Sequence, residues 1–158
     1  MSAPTSGRII DGAHVLPLRV YYEDTDAAGI VYYANWLRFL ERGRTELLRV
    51  LGQEHSALRE ERGVSWVVRR CAIDYLKPAR LDEAIEVVTS CSELRGASLD
   101  MVQQARRGEE TLVRAELTVA CMGTGGRPVR LPPHVRTALA QVAVTGSPRS
   151  RHIRIQPS

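Results

Sequence analysis

A chain of 158 residues, 44% apolar and 25% charged, is most simply one domain, large enough to bury a sizeable core. No stretch approaches the ~18 consecutive apolar residues of a membrane span, and residues 1–7 are polar without the apolar core of a signal peptide, so the expected compartment is the cytoplasm. The formal charge of +4 invites a nucleic-acid reading, but Arg149, Arg151 and Arg154 in the acid-free segment 142–158 supply +3 of it, so no nucleic-acid partner is expected.

Residues 1–14 are expected to be an N-terminal extension, 15–141 the folded domain, and 142–158 a basic, disordered tail. Leu18, Val20 and Tyr22 alternate with Arg19, Tyr21 and Glu23, which predicts a first strand. From about Ala34 to Leu51 the period becomes helical: Trp36, Phe39, Leu40, Leu47, Val50 and Leu51 gather on one side, Arg38, Arg42, Thr45, Glu46 and Arg49 on the other. Gly43 falls within the dry side, where a missing side chain lets a sheet approach closely, and Gly52 closes the helix as a C′ residue.

A shorter helix is expected from Glu54 to Glu61. After Gly63 comes a strand that changes phase, with Val64, Trp66 and Val68 on one parity and Cys71, Ile73 and Tyr75 on the other, which predicts a bulge near Arg69. Ile85 to Cys91 begins the next strand, Arg95-Gly96-Ala97 closes it as a hairpin, and Leu99 to Ala105 pairs back. Arg106-Arg107-Gly108-Glu109 makes the following turn, before the strand centred on Val113 to Cys121. Cys71, Cys91 and Cys121 are widely separated on apolar-patterned stretches, which predicts buried, reduced thiols and neither a disulfide frame nor a metal site.

The densest signal is Tyr21-Tyr22-Glu23-Asp24-Thr25-Asp26-Ala27-Ala28-Gly29-Ile30-Val31-Tyr32-Tyr33-Ala34-Asn35-Trp36. It places two carboxylates at a strand end, follows them with a glycine-containing loop, and runs into a helix start, whose unpaired amides stabilise a developing oxyanion. No Gly-x-Ser-x-Gly elbow, Walker loop or His-Glu-x-x-His is present.

This stretch, with Glu41-Arg42, Arg44-Thr45-Glu46, Leu76-Lys77-Pro78-Ala79-Arg80-Leu81-Asp82 and Arg95-Gly96-Ala97-Ser98-Leu99, resembles the hot-dog-fold acyl-CoA thioesterases, in the group of 4-hydroxybenzoyl-CoA thioesterase and the Tol-Pal-associated (YbgC-type) enzymes. The resemblance covers roughly residues 15–135. It implies an α+β hot-dog fold, a five-stranded antiparallel sheet wrapped around one long helix, and a homodimer or homotetramer with the acyl site between subunits. It also implies hydrolysis of an acyl-CoA to free acid and coenzyme A without cofactor or metal.

Asp26 matches the family's catalytic aspartate, as nucleophile or as general base toward water. Asp24, two residues away, would repel it if both were buried and charged, so Asp24 is read as structural, orienting the loop or pairing with an arginine such as Arg44. Tyr33 stands where the family's helix-start backbone N–H polarises the thioester carbonyl; many Tol-Pal-type relatives carry histidine there, the 4-hydroxybenzoyl-CoA enzyme tyrosine. Gly29 gives the loop freedom, as a plain turn glycine or as a substrate-binding residue whose amide faces the substrate. Arg95, Ser98 and Arg130 are the candidates for coenzyme A contact. An aromatic and a short or medium aliphatic acyl group are supported about equally. Two other classes remain open: a non-catalytic acyl-CoA-binding or scaffold subunit, and a hot-dog hydratase or dehydratase. The basic tail suits weak contact with a membrane surface or an acidic partner.

Overall fold

The computed structural model describes residues 3–53 and 55–144. The tail from residue 145 onward, and Glu54 at the expected start of the second helix, lie outside the described residues.

Two short strands come first, β1 (Arg8–Ile10) and β2 (Ala13–Arg19), followed by a single 3-10 turn at Tyr22–Asp24. The long helix α1 (Asn35–Val50) and the shorter α2 (His55–Arg62) lead to four long strands: β3 (Ser65–Tyr75), β4 (Ala84–Leu94), β5 (Ser98–Arg107) and β6 (Glu110–Met122). A final helix, α3 (Pro133–Leu139), closes the described fold. All pairings are antiparallel, in the order β1-β2-β4-β5-β6-β3. This is the α+β hot-dog arrangement, a curved sheet wrapped around one helix, with six strands where five were expected.

Two expectations at the N-terminus are corrected. Residues 8–10 pair with 13–15, so the sheet begins before residue 15. The predicted strand through Tyr22 ends instead at Arg19, because the Asp24 carboxylate turns back to accept the Tyr21 N–H at 2.8 Å and favours a tight turn over an extended run. Pro17 is tolerated in β2 because β1 pairs only as far as Val15, leaving no ladder partner on that side. α3 was not anticipated: Pro132-Pro133 has the look of loop, yet proline suits the first turn of a helix, where its missing N–H costs nothing.

Helix α1 lies across β2, β4 and β5. Phe39, Leu40 and Leu47 are fully buried against the sheet, each worth roughly 1.5–3 kcal/mol. Gly43 is the point of closest approach: a Cβ there would stand 2.6 Å from Val87 Cγ1. Gly52 ends the helix at φ +74°. The register shift between Val68 and Arg70 supplies the expected bulge.

β3 is the edge strand farthest from α1, and its apolar residues pay for that position with exposure. Val68 is 43% and Tyr75 45% exposed although both lie on the helix side of the sheet. For the same reason Cys71 is exposed, contrary to expectation, whereas Cys91 and Cys121 are buried. Burial pushes the Cys91 thiol up to about 12. Among the described residues no helix is long and apolar enough to cross a membrane.

Candidate active site

The stretch between β2 and α1 forms a compact knot around Asp24. This residue is 5% exposed; its Oδ2 accepts the Tyr21 N–H and its Oδ1 accepts Nδ2 of Asn35, both at 2.8 Å. Its carbonyl accepts the Tyr32 N–H at 3.0 Å. The anticipated pairing with Arg44 does not occur. Arg44 lies more than two helical turns beyond Asn35 and donates to Gln103 Oε1 at 3.0 Å, and burial lowers its proton affinity below the usual arginine range.

Asp26 stands on the exposed side of the same knot. The Ala28 N–H donates to its Oδ1 at 2.8 Å, and Oδ2 has no partner among the described residues. Its backbone is pinned: its N–H donates to the Ile30 carbonyl at 2.9 Å and its carbonyl accepts the Gly29 N–H at 3.0 Å. Gly29 adopts φ +76°, the left-handed conformation that lets so short a loop reverse. Val31 then ties the loop to the β3–β4 connection by donating to the Ala79 carbonyl at 2.8 Å.

The loop delivers the chain to the mouth of α1. Asn35 donates its N–H to Tyr32 and Trp36 its N–H to Tyr33, whereas the Tyr33 and Ala34 N–H groups donate to no acceptor in the described chain. No side chain caps this end. Free amides at a helix N-terminus carry partial positive charge and suit an acceptor that becomes more negative during reaction.

All five tyrosines of the chain, Tyr21, Tyr22, Tyr32, Tyr33 and Tyr75, are exposed, and four of them flank this knot in sequence. The Tyr33 ring meets Tyr32 edge-on at 4.9 Å and Tyr75, from the far end of β3, at 6.0 Å. The sequence singled out neither Tyr75 nor the role of Asn35. Asn35 was visible within the motif; Tyr75 carried no local signal, because only the folding of β3 back toward α1 brings it there.

Arg95, Ser98 and Arg130 form a second cluster, apart from Asp26, Gly29 and Tyr33. Arg95 Nε donates to Ser98 Oγ at 3.0 Å, and its Nη2 and Nη1 grip the two oxygens of Asp100 at 2.5 and 2.9 Å. That carboxylate holds the guanidinium above its usual range, and Arg95 in turn holds Asp100 below the usual carboxylate range. Arg130 lies beside Gly96, and Arg136 donates to the Arg95 carbonyl. This cluster caps the far end of β4, whereas the Asp26 loop adjoins its start, where Val20 donates to the Glu83 carbonyl at 2.9 Å. The length of β4, at most about 33 Å when extended, lies between them within one subunit.

The model of the thioesterase-like superfamily matches residues 20–139, which include both clusters. The chain belongs to the thioesterase-like superfamily. It is 43% identical over 131 residues to the acyl-CoA thioesterase YbgC of Haemophilus influenzae, covering 82% of this chain and 96% of that protein. To the acyl-CoA thioester hydrolase YbgC of Escherichia coli O6:H1 it is 44% identical over 118 residues, 74% of this chain and 84% of the other. The crystal structure of a probable thioesterase from Bartonella henselae superposes with a TM-score of 0.73 at 38% identity, covering 76% of this chain and 99% of that one. The family match therefore takes in the carboxylate-bearing loop, α1 and strands β3 to β6 together.

Proposed function

We propose that this protein hydrolyses acyl-CoA thioesters to a free acid and coenzyme A. The observation that carries this reading is the placement of an exposed carboxylate with a free oxygen, Asp26, on a loop tied by Asp24 to a helix mouth with two unpaired amides. A thioester carbonyl is electrophilic and its thiolate leaves readily, so one carboxylate and one polarising dipole suffice. The Tyr33 N–H donates to the carbonyl oxygen as negative charge develops there, while Asp26 either attacks the carbonyl carbon or removes a proton from attacking water. The two relatives named as acyl-CoA thioesterase and hydrolase support this choice over a hydratase.

The working unit in this reading is a homodimer, cytoplasmic, formed along β3. That edge strand exposes Val68, Cys71 and Tyr75, and a second copy supplies the missing cover. Antiparallel pairing of the two β3 edges turns the subunits end for end. The Arg95–Ser98–Arg130 cluster of one then lies at the same end as the Asp26 loop of the other, so coenzyme A phosphates and thioester are held by different subunits.

The test is release of free thiol from a panel of aromatic and aliphatic acyl-CoAs by wild type and Asp26→Asn. Turnover lost in the variant supports the reading and ranks the acyl groups. Equal slow release, or none from any thioester, replaces it with a binding or scaffold role.

A further inference from the structure

The cavity beneath the middle of α1 is chemically one-sided. Leu48, Trp66, Leu99, Met101, Val119 and Leu139 wall about 40 Å3 of space, and Arg44 joins them from the helix. Gln103, fully buried, holds the guanidinium through Oε1 and is itself fixed by donating Nε2 to the Leu40 carbonyl and the Thr89 hydroxyl, both at 2.9 Å. No carboxylate among the described residues pairs with Arg44; Glu41, one turn earlier, acts on it only at longer range. The indole Nε1–H of Trp66 is buried without an acceptor.

Arg44 is therefore the charged side chain facing this space, and the Trp66 Nε1–H is buried away from it. Water fits such a site poorly, since each molecule brings two hydrogens of its own that need acceptors. A carboxylate accepts only, and a guanidinium fork matches its two oxygens. At roughly 10–15 Å3 per water-sized group, the volume suits three heavy atoms and not a whole chain.

A route leads there from the candidate active site. Tyr33, Leu37, Arg44 and Leu48 follow one line along α1, and Tyr75, Ile73 and Cys71 lie opposite on the helix side of β3. Tyr33 meets Tyr75 at one end; at the other, Arg44 lies near the Cys71 thiol. In a single subunit Leu37, Cys71 and Tyr75 are exposed along it. From position 33 to position 44 this line of residues spans about 16 Å at the helical rise, the reach of a medium-length acyl chain.

We propose that the Arg44–Trp66 cavity binds a carboxylate carried on an apolar chain, either the far end of a carboxyl-terminated acyl substrate or the head group of a released fatty acid. The thioesterase reading supplies the source of such chains, whereas the binding chemistry stands without it.

Calorimetric titration of the full chain with dodecanoate and, as the uncharged control, dodecanol tests the cavity. The acid is expected to bind at least about ten-fold more tightly than the alcohol, as charged hydrogen bonds require. Arg44→Gln and Arg44→Met should each weaken the acid about ten-fold and leave the alcohol unchanged. Equal affinity for acid and alcohol, or variants that bind dodecanoate as the wild type does, overturns the proposal. Kinetics separate the sources. A preference for dodecanedioyl-CoA over dodecanoyl-CoA that Arg44→Met abolishes assigns the carboxylate to the substrate. No preference, with inhibition by dodecanoate, assigns it to the product; neither effect in an active enzyme also overturns the proposal. A protein that binds dodecanoate as expected but cleaves no thioester keeps the cavity and loses the thioesterase reading.

Discussion

Asn35 donates from Nδ2 to Asp24 Oδ1 across 2.8 Å, and this one bond joins the loop bearing Asp26 to the first turn of the helix whose mouth holds the free Tyr33 amide. Asn35→Ala leaves a buried carboxylate oxygen without its donor, at a cost of about 1–3 kcal/mol. A lower Tm and a fall in kcat larger than the change in KM are expected, since the two halves of the site lose their fixed separation. An unchanged kcat in the folded variant would show that the knot serves stability alone.

Asp26→Asn should separate chemistry from folding. The residue is exposed and an asparagine Oδ1 still accepts the Ala28 N–H, so stability should stay within about 0.5 kcal/mol of wild type. Turnover should fall about 100-fold or more, as loss of a general base or nucleophile demands. Denaturant unfolding and thiol release on the same preparation check both halves.

Tyr33→Phe asks whether the ring or the backbone acts. The phenol is exposed and the N–H is retained by phenylalanine, so kcat should remain within roughly three-fold of wild type, well short of the effect of removing a general acid. A loss of about 100-fold would transfer the role to the hydroxyl.

Gly43→Ala tests the helix–sheet contact. The added methyl would meet Val87 Cγ1 at 2.6 Å, Gln103 Nε2 at 3.1 Å and Thr89 Oγ1 at 3.2 Å. Overpacking of this kind costs about 1–3 kcal/mol, against a gain of about 1 kcal/mol in helix propensity. A net loss of stability is expected, read as a lower denaturant midpoint.

Stability should also depend on pH through His14. Burial lowers its pKa from 6.5, opposed by the hydrogen bond to the Ser6 carbonyl and by Glu46. Nε2 donates to that carbonyl at 2.7 Å, and Nδ1 is buried without a partner, so protonation would create a buried donor with nothing to accept it. Because the folded pKa lies below the unfolded one, this contribution is fully present above about pH 6.5 and is lost as pH falls through the folded value. Unfolding curves between pH 7.5 and 5 should show a slope that His14→Leu flattens.

Local pattern and tertiary context divide this protein cleanly. The amphipathic period of α1, the close-approach glycine at Gly43, the bulge by Arg69 and the hairpin at Gly96 were all legible, because each follows from side-chain spacing or backbone freedom within a few residues. The motif carrying Asp24, Asp26 and Gly29 was legible for the same reason: its hydrogen bonds close within one short loop and the adjoining helix turn. Only the folded chain decided that Tyr22–Asp24 coils instead of extending, since that turned on where the Asp24 carboxylate found its donors. Folding alone also brought Tyr75 to Tyr33, tied Arg44 to Gln103 instead of Asp24, and set Arg95 a strand's length from Asp26. Those relations span from about 40 to 70 positions, and no periodicity in a single chain encodes a distance of that kind.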